Sequence, residues 1–168
     1  MILYTKCKTK IQLNDNTILY LKTHPGIIKI LPEVLSKIFL KSNILEYKKE
    51  IDLKKNIGFT SLKKVEQISI NEKTWFALRN NRNNYSRVFF SSNPIVTSIV
   101  SVILRKDENS KWSLISSWYG NMAPKEPWDL SLVKGSEEFF KSIKFWCNYA
   151  ILYDKRVMGN PEKKSWND

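Results

Sequence analysis

Hydrophobic and polar positions change texture twice along the chain. At the start, Ile2 and Tyr4, then Ile11 and Leu13, flank lysine-rich polar positions, and Asn14-Asp15-Asn16 intervenes before Ile18 and Tyr20. Two-residue alternation around an Asn/Asp turn predicts an N-terminal hairpin. Pro25 and Gly26 break the alternation. Leu31, Val34, Leu35, Ile38 and Phe39 then recur at helical spacing, which predicts a helix with Pro32 in its first turn that ends near Ser42-Asn43. Residues 44–68 mix lysine and glutamate with scattered Leu45, Ile51, Leu53, Leu62, Val65 and Ile68, and read as one or two short helices interrupted at Gly58.

From residue 74 the pattern is that of strands. Thr74 to Leu78 and Ser86 to Phe90 flank the turn-rich Asn80-Asn81-Arg82-Asn83-Asn84, predicting a second hairpin. The apolar run Ile99 to Leu104 reads as a central strand covered on both faces. In the next strand, a regular two-residue period puts Trp112, Leu114, Ser116 and Trp118 on one face. Ser136 is a helix cap, Glu137 and Glu138 suit the positive end of the helix dipole, and Phe139 to Ile151 form an amphipathic helix able to dock on a sheet. Polar residues follow from Asp154. The expected architecture is α+β: an N-terminal hairpin and helices, then a twisted antiparallel sheet with a C-terminal helix packed on it. One domain would occupy residues 1–154, with a polar tail over residues 155–168.

Charge adds a partner class. There are 28 Lys+Arg against 16 Asp+Glu, a formal net charge of +12, and residues 1–122 hold 20 basic and nine acidic groups. A field of that size favours polyanions such as nucleic acid. Part of the excess has another source, since 23 of the 28 cations are lysines and Ile and Asn are also abundant, as in proteins of AT-rich genomes. Cys7 and Cys147 lie 140 positions apart and match no metal-ligand spacing. No secretory pattern opens the chain and no run approaches 18 apolar residues, so a cytoplasmic protein with no membrane partner is expected.

His24 is the single histidine, set in Lys22-Thr23-His24-Pro25-Gly26 with Lys29 close by. Histidine is the side chain best suited to proton transfer near neutral pH, although a lone loop histidine is commonly just solvated. Arg87 is a candidate phosphate ligand because guanidinium grips phosphate oxygens in a fork that lysine cannot reproduce. Arg79, Arg82 and Arg105 read as surface or turn residues. Trp118 and Tyr119, at the end of a strand, are the aromatics best placed to stack on a base. There is no phosphate-binding glycine loop, no dinucleotide fingerprint, no Cys/His zinc set and no cluster of closely spaced acids. Chemistry without a metal or another cofactor is therefore expected.

Four patches carry a resemblance: the stretch around Thr23-His24-Pro25; Thr74-Trp75-Phe76 leading to Ser86-Arg87-Val88; Trp112 to Trp118 before Gly120; and Phe145-Trp146-Cys147-Asn148-Tyr149-Ala150. In order and wording they resemble the barnase/EndoU/colicin/RelE-like superfamily of metal-independent ribonucleases, many of them toxins, over about residues 16–152. The resemblance implies an α+β fold and cleavage of RNA by attack of a ribose 2′-hydroxyl on the adjacent phosphate. It implies His24 as general acid or base, Arg87 neutralising the phosphorane, Ser116 donating a hydrogen bond to it and Trp118 stacking on a base. Lys22, Lys29 and Tyr119 would help to hold the RNA. An acidic antitoxin or immunity protein would be the natural partner of such a toxin.

The sequence departs from that pattern at Tyr149, where the family commonly has histidine before alanine. A phenol, with an ordinary pKa near 10, replaces a proton-transfer group there. Two readings stay open beside the endoribonuclease: a catalytically impaired RNA- or DNA-binding module, and a partner-binding protein of a phage or mobile element.

Overall fold

A computed structural model describes residues 3–23, 25–68, 74–79, 85–93 and 95–162. In chain order the elements are β1 (Leu3–Tyr4), β2 (Lys10–Leu13), α1 (Asp15–Thr23), α2 (Pro25–Ser36), β3 (Glu46–Asp52), β4 (Gly58–Thr60), β5 (Leu62–Lys64), a 3-10 turn (Val65–Gln67), β6 (Thr74–Arg79), β7 (Tyr85–Phe89), β8 (Ile95–Thr97), β9 (Ile99–Lys106), β10 (Trp112–Tyr119), α3 (Glu137–Asn148), β11 (Tyr149–Leu152) and β12 (Met158–Glu162). The fold is α+β, as expected. Contacts sort the chain into two compact units: Met1–Thr60 with Val96–Met122, and Ser61–Ile95 with Ala123–Asp168.

The first unit is built on a five-stranded sheet in the order β1-β2-β10-β9-β3. Strand β10 is antiparallel to β9 and parallel to β2. Helices α1 and α2 cover one face, packing Leu21, Ile27, Leu31, Val34 and Leu35 against Val100, Val102, Leu104 and Leu114. Leu31, Val34, Leu35 and Ile38 are fully buried, and each such side chain contributes about 1.5–3 kcal/mol. The N-terminal hairpin exists, but it is β1 paired with β2 through Thr5–Thr9, with Lys8 at φ 60° in the turn. Asn14 starts a helix instead of turning a hairpin. Its Oδ1 accepts from the Thr17 N–H at 2.7 Å and its carbonyl from the Ile18 N–H at 2.9 Å, so Ile18 and Tyr20 lie on α1.

Two helix expectations shift. Pro25 opens α2 and Pro32 lies inside it, so the helix starts seven residues earlier than Pro32 suggests and stops at Ser36. Residues 44–68 hold three strands and one 3-10 turn instead of the α-helices expected. Strand β3 runs antiparallel along β9 with Tyr47 and Ile51 partly buried between charged positions. Its charges belong to an edge strand, where they blunt unwanted pairing.

The second unit has its own five-stranded sheet, ordered β12-β6-β7-β11-β5. The predicted hairpin of residues 74–90 is present as antiparallel β6 and β7; its Asn-rich turn lies outside the described residues. Helix α3 starts as read from the sequence, with the Ser136 hydroxyl accepting from the Phe139 N–H at 3.1 Å. It ends at Asn148. Tyr149 is extended (φ −131°, ψ 153°), and Ala150 and Ile151 belong to β11 instead of the helix. Residues 158–162 are no loose tail either: β12 pairs with β6, and Met158 is buried beside Ala77, Val88, Trp146 and Ile151.

Candidate nucleic-acid interface

A β-bulge decides which way β10 points its side chains. Leu114 pairs with Leu104 and Ser116 with Ile103, leaving Ile115 as an extra residue. Trp112, Leu114, Ser117 and Tyr119 therefore face the helices, while Ser113, Ser116 and Trp118 face the other way. This corrects the common face expected for Trp112, Leu114, Ser116 and Trp118. Ser116 and Trp118 do share the open face, both half-buried. The Ser116 hydroxyl has no hydrogen-bond partner among the described residues, so it is free to donate. The Trp118 Nε1 donates to the Asn121 carbonyl at 3.2 Å.

Tyr119 is a different case. Its ring turns to the helix side, where a Cβ on Gly26 would lie 2.5 Å from its hydroxyl and one on Gly58 2.7 Å from the ring. Burial raises its pKa. Tyr119 is thus a packing residue that requires glycine at both positions, not a stacking platform.

The open sheet face is electrostatically balanced. Lys48 and Arg105 both pair with Glu46, at 2.7 and 2.9 Å, and Glu50 accepts from the Asn121 side-chain amide and the Met122 N–H, both at 2.7 Å. Elsewhere in this unit Glu33 holds Lys55 and Asp52 holds Lys54, each at 2.7 Å. The Lys54 hydrogen bonds bring the Asp52 carboxyl down to about 2. With these acids engaged, Lys6, Lys8, Lys22, Lys29, Lys37 and Lys41 are exposed and have no acidic partner among the described residues. Lys10, Lys49 and Lys111 on or beside the strands are likewise exposed and have no acidic partner among the described residues, so the unpaired cations of this unit are spread over helices, turns and strands.

Lys22 and Lys29 belong to α1 and α2, which cover the sheet face opposite Ser116 and Trp118, so those four residues do not form one groove on that open face. His24 lies outside the described residues. Its neighbour Lys22 lines a cavity of about 580 Å³ together with Lys10, Leu13, Ile18, Leu21 and Ile28.

Arg87 and Tyr149 fall in the second unit. Arg87 is neither a solvent-facing strand residue nor an open phosphate fork. Its Nη1 donates to the carbonyls of Cys147 at 2.8 Å and Trp146 at 3.5 Å, and its Nη2 donates to the Thr74 hydroxyl at 3.3 Å. The guanidinium thereby caps the C-terminal end of α3, where unpaired carbonyls favour a cation. Burial lowers its pKa. Tyr149, the first residue past α3, stacks on Phe145 with ring centroids 4.3 Å apart and planes 6° from parallel. Around them, Trp146 Nε1 and the Ser142 hydroxyl donate to the Lys125 carbonyl at 3.3 and 2.7 Å, and the Ser86 hydroxyl donates to Glu126 at 2.8 Å. The motif Phe145-Trp146-Cys147-Asn148-Tyr149 is thus accounted for here by helix docking and capping.

Among the described residues, no group of His, Cys, Asp and Glu could hold a metal ion, and no helix is long and apolar enough to cross a membrane. No protein-family model and no curated protein matches the chain. A conserved hypothetical protein from Toxoplasma gondii ME49, known from a crystal structure, is similar in fold, with a TM-score of 0.55 over 89% of this chain and 96% of that one at 16% identity.

Proposed function

We propose that this protein binds RNA and cleaves it as a toxin-type endoribonuclease that needs no metal. The observation that carries the reading is the set of lysines without acidic partners in the first unit, where Glu33, Glu46 and Asp52 are each held in ion pairs with other cations. Phosphates would be the counterions of that set. His24 would move the proton in 2′-hydroxyl attack, Ser116 would donate its free hydroxyl, and Trp118 would offer a half-exposed ring to a base. The reading places the protein in the cytoplasm and gives it an acidic antitoxin or immunity protein as partner.

A second reading, an RNA- or DNA-binding module without cleavage, is favoured by the helix-capping role of Arg87 and the stacked ring of Tyr149. Incubation with total RNA in EDTA separates the two. The wild type cleaves and His24→Ala does not if the first reading holds. Binding without cleavage by the wild type, with or without gain of cleavage in Tyr149→His, selects the second. Absence of both binding and cleavage rejects both.

A further inference from the structure

Two short segments of the first unit are stitched together at one end of its sheet. The Lys6 N–H donates to the Ile38 carbonyl at 2.9 Å, tying the Thr5–Thr9 turn to the segment that follows α2. That segment alternates strictly. Ile38 and Leu40 are 0% and 8% exposed and anchor in the core, whereas Lys37, Phe39 and Lys41 point outward, with Phe39 63% exposed. The turn is equally well held. Thr5 is buried, the Thr9 N–H donates to the Thr5 hydroxyl at 3.3 Å, and both hydroxyls flank the Cys7 thiol at 3.1 and 3.2 Å. Lys6 and Lys8, the sequence neighbours of Cys7, are both exposed.

The outcome is an exposed aromatic ring flanked in sequence by two lysines and joined through the Lys6–Ile38 backbone hydrogen bond to a turn carrying two more. None of the four lysines has an acidic partner among the described residues. Exposed apolar side chains also occur elsewhere, as at Phe59 and Phe140, so what sets Phe39 apart is the lysines around it; lysines alone would accept any polyanion. A ring among them adds a stacking surface that only unpaired bases can reach.

We propose that Lys6, Lys8, Lys37, Phe39 and Lys41 form a docking platform for single-stranded RNA, on which Phe39 stacks a base and the lysines hold the flanking phosphates. The platform rests on the RNA-binding reading above, but lies on elements that reading does not use for chemistry. It selects single strands over duplex, because a duplex keeps its base faces inside.

Fluorescence anisotropy with a labelled twelve-nucleotide oligouridylate and with an RNA duplex tests it. Phe39→Ala is expected to weaken oligouridylate binding by about 5- to 100-fold and to leave duplex binding unchanged. Phe39→Leu, which keeps the apolar contact area but not the ring face, is expected to behave likewise. Replacing all four lysines by glutamine is expected to flatten the slope of log affinity against log salt by about 3. In a Cys147→Ser background, saturating oligouridylate is expected to slow alkylation of Cys7, whose thiol sits in the turn. If the wild type binds oligouridylate and these variants bind it equally well, the platform is overturned and the RNA reading stands. Equal affinity for duplex and single strand, insensitive to Phe39, overturns the platform in favour of a generic polyanion surface such as one for an acidic protein. A wild type that binds neither RNA overturns both.

Discussion

Arg87 reaches from the middle of β7 to donate to the carbonyl of Cys147 in the last turn of α3 at 2.8 Å. The contact joins helix to sheet in the second unit, and it spends the guanidinium on backbone. Arg87→Ala is expected to destabilise the fold by about 1–3 kcal/mol, because the α3 carbonyls and the Thr74 hydroxyl lose a charged donor. Arg87→Lys should recover only part of this, since an ammonium cannot fork. Urea unfolding gives the shift, and RNA affinity measured in parallel should not change. A loss of RNA cleavage at unchanged urea midpoint would return Arg87 to the reaction.

Two buried serines on neighbouring strands make a matched pair. The Ser101 hydroxyl donates to the Gly120 carbonyl at 2.7 Å, whereas the Ser117 hydroxyl has no partner among the described residues, and both are 0% exposed. Removing a satisfied hydroxyl loses a hydrogen bond and strands its acceptor, while removing an unsatisfied one relieves a desolvation cost. Ser101→Ala is expected to cost about 1–2 kcal/mol, and Ser117→Ala to be neutral or stabilising by about 1 kcal/mol. Thermal unfolding of the two variants should move in opposite directions or, at the least, differ by several degrees.

What could be read from the sequence follows the range of the forces involved. The Ser136 cap, the β6–β7 hairpin and a strand over Ile99–Lys106 depend on neighbours within a few positions, and all three are present, although β9 lies next to the edge with one open face instead of being central and covered on both. The region of residues 44–68 could not be read that way. Its strand β3 is a charged edge whose Tyr47 and Ile51 acquire meaning only beside β9, about fifty residues further on. The facing of β10 could not be read for the same reason. Periodicity assumes no bulge, and one extra residue at Ile115 turned Ser116 and Trp118 to the face away from Lys22 and Lys29. The sequence could locate the cation excess but not its pairing. Which lysines remain free depends on Glu33, Glu46 and Asp52 finding partners across the fold.

Cys7 is expected to react at lower pH than an ordinary thiol. Hydrogen bonds from the hydroxyls of Thr5 and Thr9 bring its pKa from 9 to about 7. A lowered folded-state value means that the thiolate contributes stability above the unfolded pKa, and that this contribution is lost as pH falls through about 7. In a Cys147→Ser background, iodoacetamide alkylation should show a midpoint near pH 7 in the folded protein and near 9 in urea. Thr5→Val should raise the folded midpoint, because it removes the stronger of the two hydroxyl contacts. A folded midpoint that matches the value in urea would show that the turn does not hold Cys7 in this way.

The bulge in β10 makes an unusual prediction about deletions. Removing a residue from a strand ordinarily slips everything beyond it to the opposite face. Ile115 is the exception, because Leu114 and Ser116 already pair with the adjacent Leu104 and Ile103. Without Ile115 the ladder closes with every later side chain on its present face: Ser117 and Tyr119 toward the helices, Ser116 and Trp118 away. Ile115 is also 37% exposed, so its loss leaves no large cavity. Deleting Ile115 is therefore expected to leave a folded protein destabilised by no more than about 2 kcal/mol. Deleting Ser117 instead drives Trp118 into a slot fitted to serine and moves Tyr119 off Gly26 and Gly58, and it is expected to abolish folding. Circular dichroism and urea unfolding of the two deletions decide the matter: equal damage from both would mean that β10 and β9 are not paired across a bulge at Ile115.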